Sequence, residues 1–187
     1  MKKTTIVITA VILVILVGAA IIFLPKLTSG SNLNIANAED LSKLVEDIYA
    51  GVTLEMPGVM TQAIDVADKD MVSYVTGLEN GDELEYAVVS EPMMSSQAYS
   101  MVIAKVKSGV NASKVAETMK DNIDTRKWIC VSAEQLYATN SGDVVFLVMT
   151  NKELADAVYT SFKTLAGGIG QEFEKIEQEV ELPADMY

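Results

Sequence analysis

Residues 4–24 read TTIVITAVILVILVGAAIIFL, 21 residues without a single charge. Few folds accept such a run. At about 1.5 Å per residue it makes a helix of about 31 Å, close to the hydrocarbon thickness of a bilayer. No polar face interrupts it, as an amphipathic helix on a soluble core requires. Lys2 and Lys3 stand before the run, and a strongly acidic chain follows Lys26. Positive charge marks the cytoplasmic side. The expected layout is a cytoplasmic stub (1–3), a single-pass transmembrane anchor (4–24), a polar linker (25–38), a globular extracytoplasmic domain (39–167) and an acidic tail (168–187). The alternative is a signal peptide, cleaved to release a secreted domain. Signal peptides have apolar regions of about 7–15 residues and a nearby small-x-small site. Here Ala36-Asn37-Ala38 ends 14 residues beyond Leu24. Lipoprotein processing needs a cysteine just after the run, and the only cysteine is Cys130.

Composition narrows the chemistry. All 26 acidic residues lie from Glu39 onward, against 11 of the 14 basic ones, a formal charge of −15 for that part. Such a field repels nucleic acid and anionic headgroups, so no nucleic-acid partner is expected. Histidine is absent. That excludes Ser-His-Asp and Cys-His catalysis and the histidine-built zinc and iron sites. An enzyme would have to work through carboxylates, lysine or tyrosine; no catalytic motif is recognisable and no cofactor is expected. A lone cysteine forms no internal disulfide. Its setting, Trp128-Ile129-Cys130-Val131, predicts a buried, inert thiol.

Periodicity supplies the fold. Leu41, Leu44, Val45, Ile48 and Tyr49 recur at helical spacing, with Glu39 and Asp40 in the first turn and Gly51 at the end. Pro57-Gly58 marks a turn, and residues 65–76 predict a short helix stopped by Gly77. A pattern then occurs twice. Residues 84–91 and 98–107 read as strands around a turn at 92–96, and Asn111 caps a helix running to about Lys127. Residues 136–139 and 144–150 read as strands around Asn140-Ser141-Gly142, and Asn151 caps a helix closed by Gly167-Gly168. Two hairpin-helix units predict an α+β domain: a four-stranded antiparallel sheet with both long helices on one face. The strands at 101–104 and 144–149 are apolar on both faces, so the second face needs cover. The two N-terminal helices are the candidates, a partner protein the alternative. Residues 171–182 are dense in glutamate, with Phe173, Ile176 and Val180 spaced for a helix face, and read as a docked helix or a frayed tail.

Three constellations could carry function. Asp65, Asp68 and Asp70 resemble the start of a calcium loop, but Val72, Ser73 and Tyr74 occupy places where an EF-hand needs ligands and glycine. Gly167-Gly168-Ile169-Gly170 follows a helix, whereas a phosphate cradle follows a strand, so it reads as a C-cap and hinge. Pro92-Met93-Met94-Ser95-Ser96 sets two methionines in a hairpin turn. Exposed, they make a contact surface; folded back beneath the helices, they are core. The second arrangement is the expectation.

The order of elements, Glu91-Pro92-Met93-Met94-Ser95-Ser96, the strand with Lys105 and Lys107, Trp128, and Ala133-Glu134-Gln135 before the strand 144–149 together carry a resemblance. They are similar to a family of uncharacterised exported proteins of clostridia-like Gram-positive bacteria, catalogued as domain-of-unknown-function family 4358. The likeness covers roughly residues 41–165 and implies an extracytoplasmic location. It implies no activity and no catalytic residues, and this chain departs from the family pattern in lacking a lipobox cysteine. The expected function is non-enzymatic binding of a protein or envelope component. The rivals are a carboxylate-dependent envelope enzyme, a cation-binding domain, and a structural subunit packed through the run 4–24.

Overall fold

The computed structural model describes residues 32–94 and 96–177. The stub, the anchor at 4–24, the first half of the linker (25–31), Ser95 and the end of the tail lie outside the described residues. Among the described residues no helix is long and apolar enough to cross a membrane.

Helix α1 (Ala38–Ala50) starts where the sequence supplies reciprocal caps. The Asn37 side chain accepts from the Asp40 N–H at 3.0 Å, and the Asp40 carboxylate accepts from the Ala36 and Asn37 N–H groups. Leu41, Leu44, Val45 and Ile48 form its buried stripe. Strand β1 (Val59–Ala63) follows, in a stretch that carries only turn signals in sequence. Helix α2 (Lys69–Thr76) begins later than its pattern suggests. Asp65 first binds the Ala67 N–H in a turn of its own, and Asp68 then caps the helix through the Met71 N–H. Gly77, at φ 75°, closes it.

Strands β2 (Leu84–Pro92) and β3 (Ser100–Val106) form the first hairpin. Helix α3 (Ala112–Asn122), capped by Asn111, stops five residues short of Lys127. The chain turns extended at Ile123, and the Asp124 carboxylate captures the Arg126 N–H at 2.8 Å, a local bond that competes with the helix. Strands β4 (Gln135–Ser141) and β5 (Val144–Thr150) form the second hairpin. Its turn is Gly142-Asp143, with Gly142 at φ 59°, rather than Asn140-Ser141-Gly142; the register Ser141↔Val144 leaves a two-residue loop. Helix α4 (Lys152–Ala166) has Asn151 at its N-cap and Gly167, at φ 67°, at its C-cap. The last described element is a strand, β6 (Phe173–Ile176), not a helix or a frayed end. Phe173 packs on the core, and Glu177 bonds Thr125 and Arg126, tying the segment down.

The α+β class is as expected, but the sheet has six antiparallel strands, in the order β1-β2-β3-β5-β4-β6, not four. The long helices α3 and α4 lie on opposite faces, not on one. Alternation along the strands separates two cores. Val89, Val102, Ala104, Leu136 and Leu147 meet α2 and α3 on one face. Val88, Met101, Ile103, Phe146 and Val148 meet α1 and α4 on the other. Each face is thus covered by one early and one late helix. That accounts for strands apolar on both sides without a partner protein.

Candidate functional site

One end of the sheet gathers the features that the fold alone does not explain. There β1 and β4 begin, β2 ends at Pro92, β3 begins at Ser100 and β5 ends at Thr150; the pairs Val59↔Pro92, Ser100↔Met149 and Gln135↔Thr150 fix the alignment. The β2–β3 loop and the segment joining α3 to β4 both surface here.

On the α2/α3 side the centre is Lys127. Its side chain is 2% exposed, and Nζ lies 2.6 Å from the Glu91 carboxylate. Nζ also approaches Ser100 Oγ at 3.3 Å and sits over the rings of Tyr74 (4.7 Å) and Trp128 (5.6 Å). Burial pulls the Lys127 pKa below its ordinary value, and the Glu91 carboxylate opposes that pull. Burial, and next the Glu91 charge, raise the Tyr74 hydroxyl. A lysine enclosed in this way and neutralised by one carboxylate is a tie rather than a nucleophile: it fastens the α3–β4 segment to the sheet.

Around it stands an apolar rim. Met93 is 78% exposed, Met94 68%, Ile129 69% and Met60 53%. Met60 pairs directly with Glu91 across β1 and β2, so it shares the face that holds Lys127. The methionines of the turn therefore do not fold back beneath the helices. The hairpin turns them outward, and Pro92 and Ser96 flank them as a half-buried and an exposed residue. Cys130 is likewise exposed, not buried, and adopts φ 63°. The apolar neighbours Trp128 and Ile129 point opposite ways, one into the core and one into water, so the stretch does not bury its thiol.

On the α1/α4 side of the same end lies an open groove of about 430 Å³, lined in part by Met56, Gln97, Tyr99, Ser132, Asn151 and Leu154. Beneath it runs a chain of hydroxyls. Tyr99 donates to Tyr49 at 3.0 Å, Tyr49 to Ser90 at 2.7 Å, and Thr61 to Ser90 at 3.0 Å. Burial raises both tyrosines, Tyr99 well above its ordinary value. These groups satisfy one another and hold β1, β2 and α1 in register.

A second polar cluster lies against α4. The rings of Tyr137 and Tyr159 stack at 4.6 Å. Tyr137 donates to Asp156 at 2.6 Å, Tyr159 to Glu172 at 2.7 Å, and Lys152 and Lys163 close the pairs. Burial, then the bonded carboxylate, pushes Tyr137 up to about 12 and raises Tyr159 further. Each polar tip here already has a partner.

Asp65 and Asp68 spend side-chain oxygens on their own backbone turns, and Asp70 sits in the first turn of α2. Among the described residues no group of three or more acidic or cysteine side chains is placed to hold a metal ion. Gly167 serves as the αL cap of α4, and the Ser141 hydroxyl donates to the Gly168 carbonyl.

Lys127, Tyr74, Met60 and Ile129 were not singled out by sequence reasoning. The available signal was a lysine next to the only tryptophan, at the head of the apolar stretch Trp128-Ile129-Cys130-Val131. Comparison with protein-family models, with curated proteins and with solved structures finds no match to this chain.

Proposed function

We propose that this protein is a non-enzymatic binding module, held at the outer face of a cell membrane by residues 4–24, which engages a protein or envelope partner through the end of the sheet carrying Met93 and Met94. The observation that carries this is the outward display of Met60, Met93, Met94 and Ile129 around a buried ion pair. Methionine presents flexible, polarisable apolar surface and adapts to the shape of a partner. The Lys127–Glu91 tie keeps the platform beneath it fixed. The uncharged run with Lys2 and Lys3 before it supports the anchor and its direction, and the family resemblance around Glu91-Pro92-Met93-Met94 supports an exported location.

Photo-crosslinking residues placed at 93 and 94 in intact cells test the surface. A discrete adduct is expected, absent when the crosslinker sits at exposed Glu153 on α4. Adducts of equal yield at all three positions, or none, would sink the reading. Protease added to intact cells is expected to remove the domain; full protection would overturn the topology.

A further inference from the structure

The chain enters the fold at one end of the sheet and shows its apolar surface at the other. From Asn32 onward the linker is bound down along the domain. The Asn32 N–H donates to the Ala166 carbonyl, the last of α4, at 3.1 Å. A Cβ built at Gly167 would collide with the Asn32 side chain, so the strap lies tight against the helix cap. Leu33 packs on the α1/α4 core and Ile35 is buried in it. Lys105 Nζ donates to the Ile35 carbonyl at 2.7 Å, and the Asp40 carboxylate accepts from Ala36 and Asn37.

These contacts all lie where β3 and β4 end and β2 and β5 begin. Lys105 pairs with Val144 across β3 and β5, and the Ser141 hydroxyl bonds Gly168 just past α4. Met60, Met93, Met94 and Ile129 stand at the opposite end.

Reach then decides which way that surface faces. Residues 25–31 separate the uncharged run from Asn32. Fully extended, that stretch carries the chain at most about 28 Å. The headgroup layer takes about 6 Å of this. Strand β2 alone runs about 27 Å from Leu84 to Pro92, and Met93 and Met94 lie beyond it. To press the methionines onto the bilayer, the domain would have to stand inverted, with Asn32 farther above the headgroups than the linker extends. Nor is a flank drawn down onto anionic headgroups, because the chain from Glu39 onward carries a formal charge of −15.

We infer that residues 32–37 are a foot that holds the domain with its Met93–Met94 end away from its own membrane, and that this end takes an apolar patch on a folded, water-exposed domain of a partner protein. Lipid and membrane-embedded helices, the usual targets of exposed apolar side chains on an anchored protein, lie out of its range. This rests on the anchor and binding-module readings and names the class of partner.

The test uses the full chain in vesicles of phosphatidylcholine and phosphatidylglycerol carrying a headgroup spin label. A fluorophore on the exposed Cys130 reports the far end. One on Ser108→Cys, in a Cys130→Gly background, reports the exposed loop after β3 at the near end. Quenching is expected at 108 and absent at Cys130. A glycine–serine spacer of about ten residues inserted after Gly30 adds roughly 35 Å of reach, and the Cys130 label is then expected to quench as well. Quenching at Cys130 in the natural chain that matches or exceeds that at 108 overturns the inference. So does a Cys130 label that the spacer leaves unquenched, since reach would not then be what holds it off. Crosslinkers at 93 and 94 in intact cells are expected to mark peptides from a water-exposed domain of the partner; a lipid adduct, or a peptide from a membrane-spanning segment, overturns the assignment. If protein adducts form while the two labels quench alike, the orientation falls and the binding-module reading stands. If the labels differ as expected and no adduct forms, the binding-module reading is the one that falls.

Discussion

Lys127 Nζ lies 2.6 Å from the Glu91 carboxylate, and the lysine side chain is almost wholly enclosed. Breaking such a pair from one side leaves an uncompensated charge, whereas removing both partners can be nearly neutral. Glu91 keeps some access to water, which lowers the penalty. Lys127→Met is expected to cost about 2–3 kcal/mol and Lys127→Met with Glu91→Gln clearly less, a non-additivity read from urea unfolding of the two single variants and the double.

Alkaline stability should fall in a tyrosine-dependent way. The folded-state pKa of Tyr137, about 12, lies above the ordinary value of about 10, and those of Tyr159, Tyr99 and Tyr49 are also raised. Folded protein therefore holds protons that the unfolded chain has lost. This contribution is complete below pH 10 and is lost as pH climbs through the folded values. Lys127 acts in the opposite sense: its lowered pKa makes stability rise between that value and its unfolded one. Tyr137→Phe with Tyr159→Phe is expected to flatten the fall in melting temperature between pH 10 and about 12; an unchanged slope would reject the assignment.

At Gly51 the packing of α1 on α4 leaves no room for a methyl group. A Cβ there would collide with Ser161 Oγ, which donates to the Ile48 carbonyl at 2.7 Å. Gly51→Ala is expected to destabilise by about 1–2 kcal/mol, and adding Ser161→Ala should recover part of the loss by removing the clashing oxygen. Thermal melts of both variants decide this.

Cys130 makes two separable predictions. An exposed thiol reacts with a disulfide reagent as fast in native protein as in urea, and slow native reaction would contradict its exposure. Its φ of 63° lies in the left-handed region, where glycine is at ease and a β-branched residue is not. Cys130→Val is expected to be about 1–2 kcal/mol less stable than Cys130→Gly.

Residues that cap helices announced themselves. Asn111, Asn151 and Gly167 do in space what their chemistry implies in sequence, because a cap is a local bond. The failures concern relations between distant segments. Nothing in the five residues between β3 and α3, or in Asn151 between β5 and α4, states which face the following helix will take. Only strand parity and the competing helices decide it. Val59-Met60-Thr61-Gln62-Ala63 lacks an apolar alternation of its own and becomes a strand through the ladder offered by β2. Phe173 and Ile176 suited a helix three residues on, yet the open edge of β4 takes the segment as a strand. The site was half legible: Met93 and Met94 stood out by type, but their exposure follows from hairpin geometry, and Lys127 meets Glu91 only after two loops have closed.

The pairing of β3 with β5 also bears on synthesis. Met101, Val102, Ile103 and Ala104 are buried on both faces, and β3 has no neighbour on that side until β5, 38 residues after β3 ends at Val106, has been made. Until then a nascent chain carries a bare apolar edge at its middle. Any delay between the emergence of β3 and the emergence of β5 prolongs the exposure of that edge.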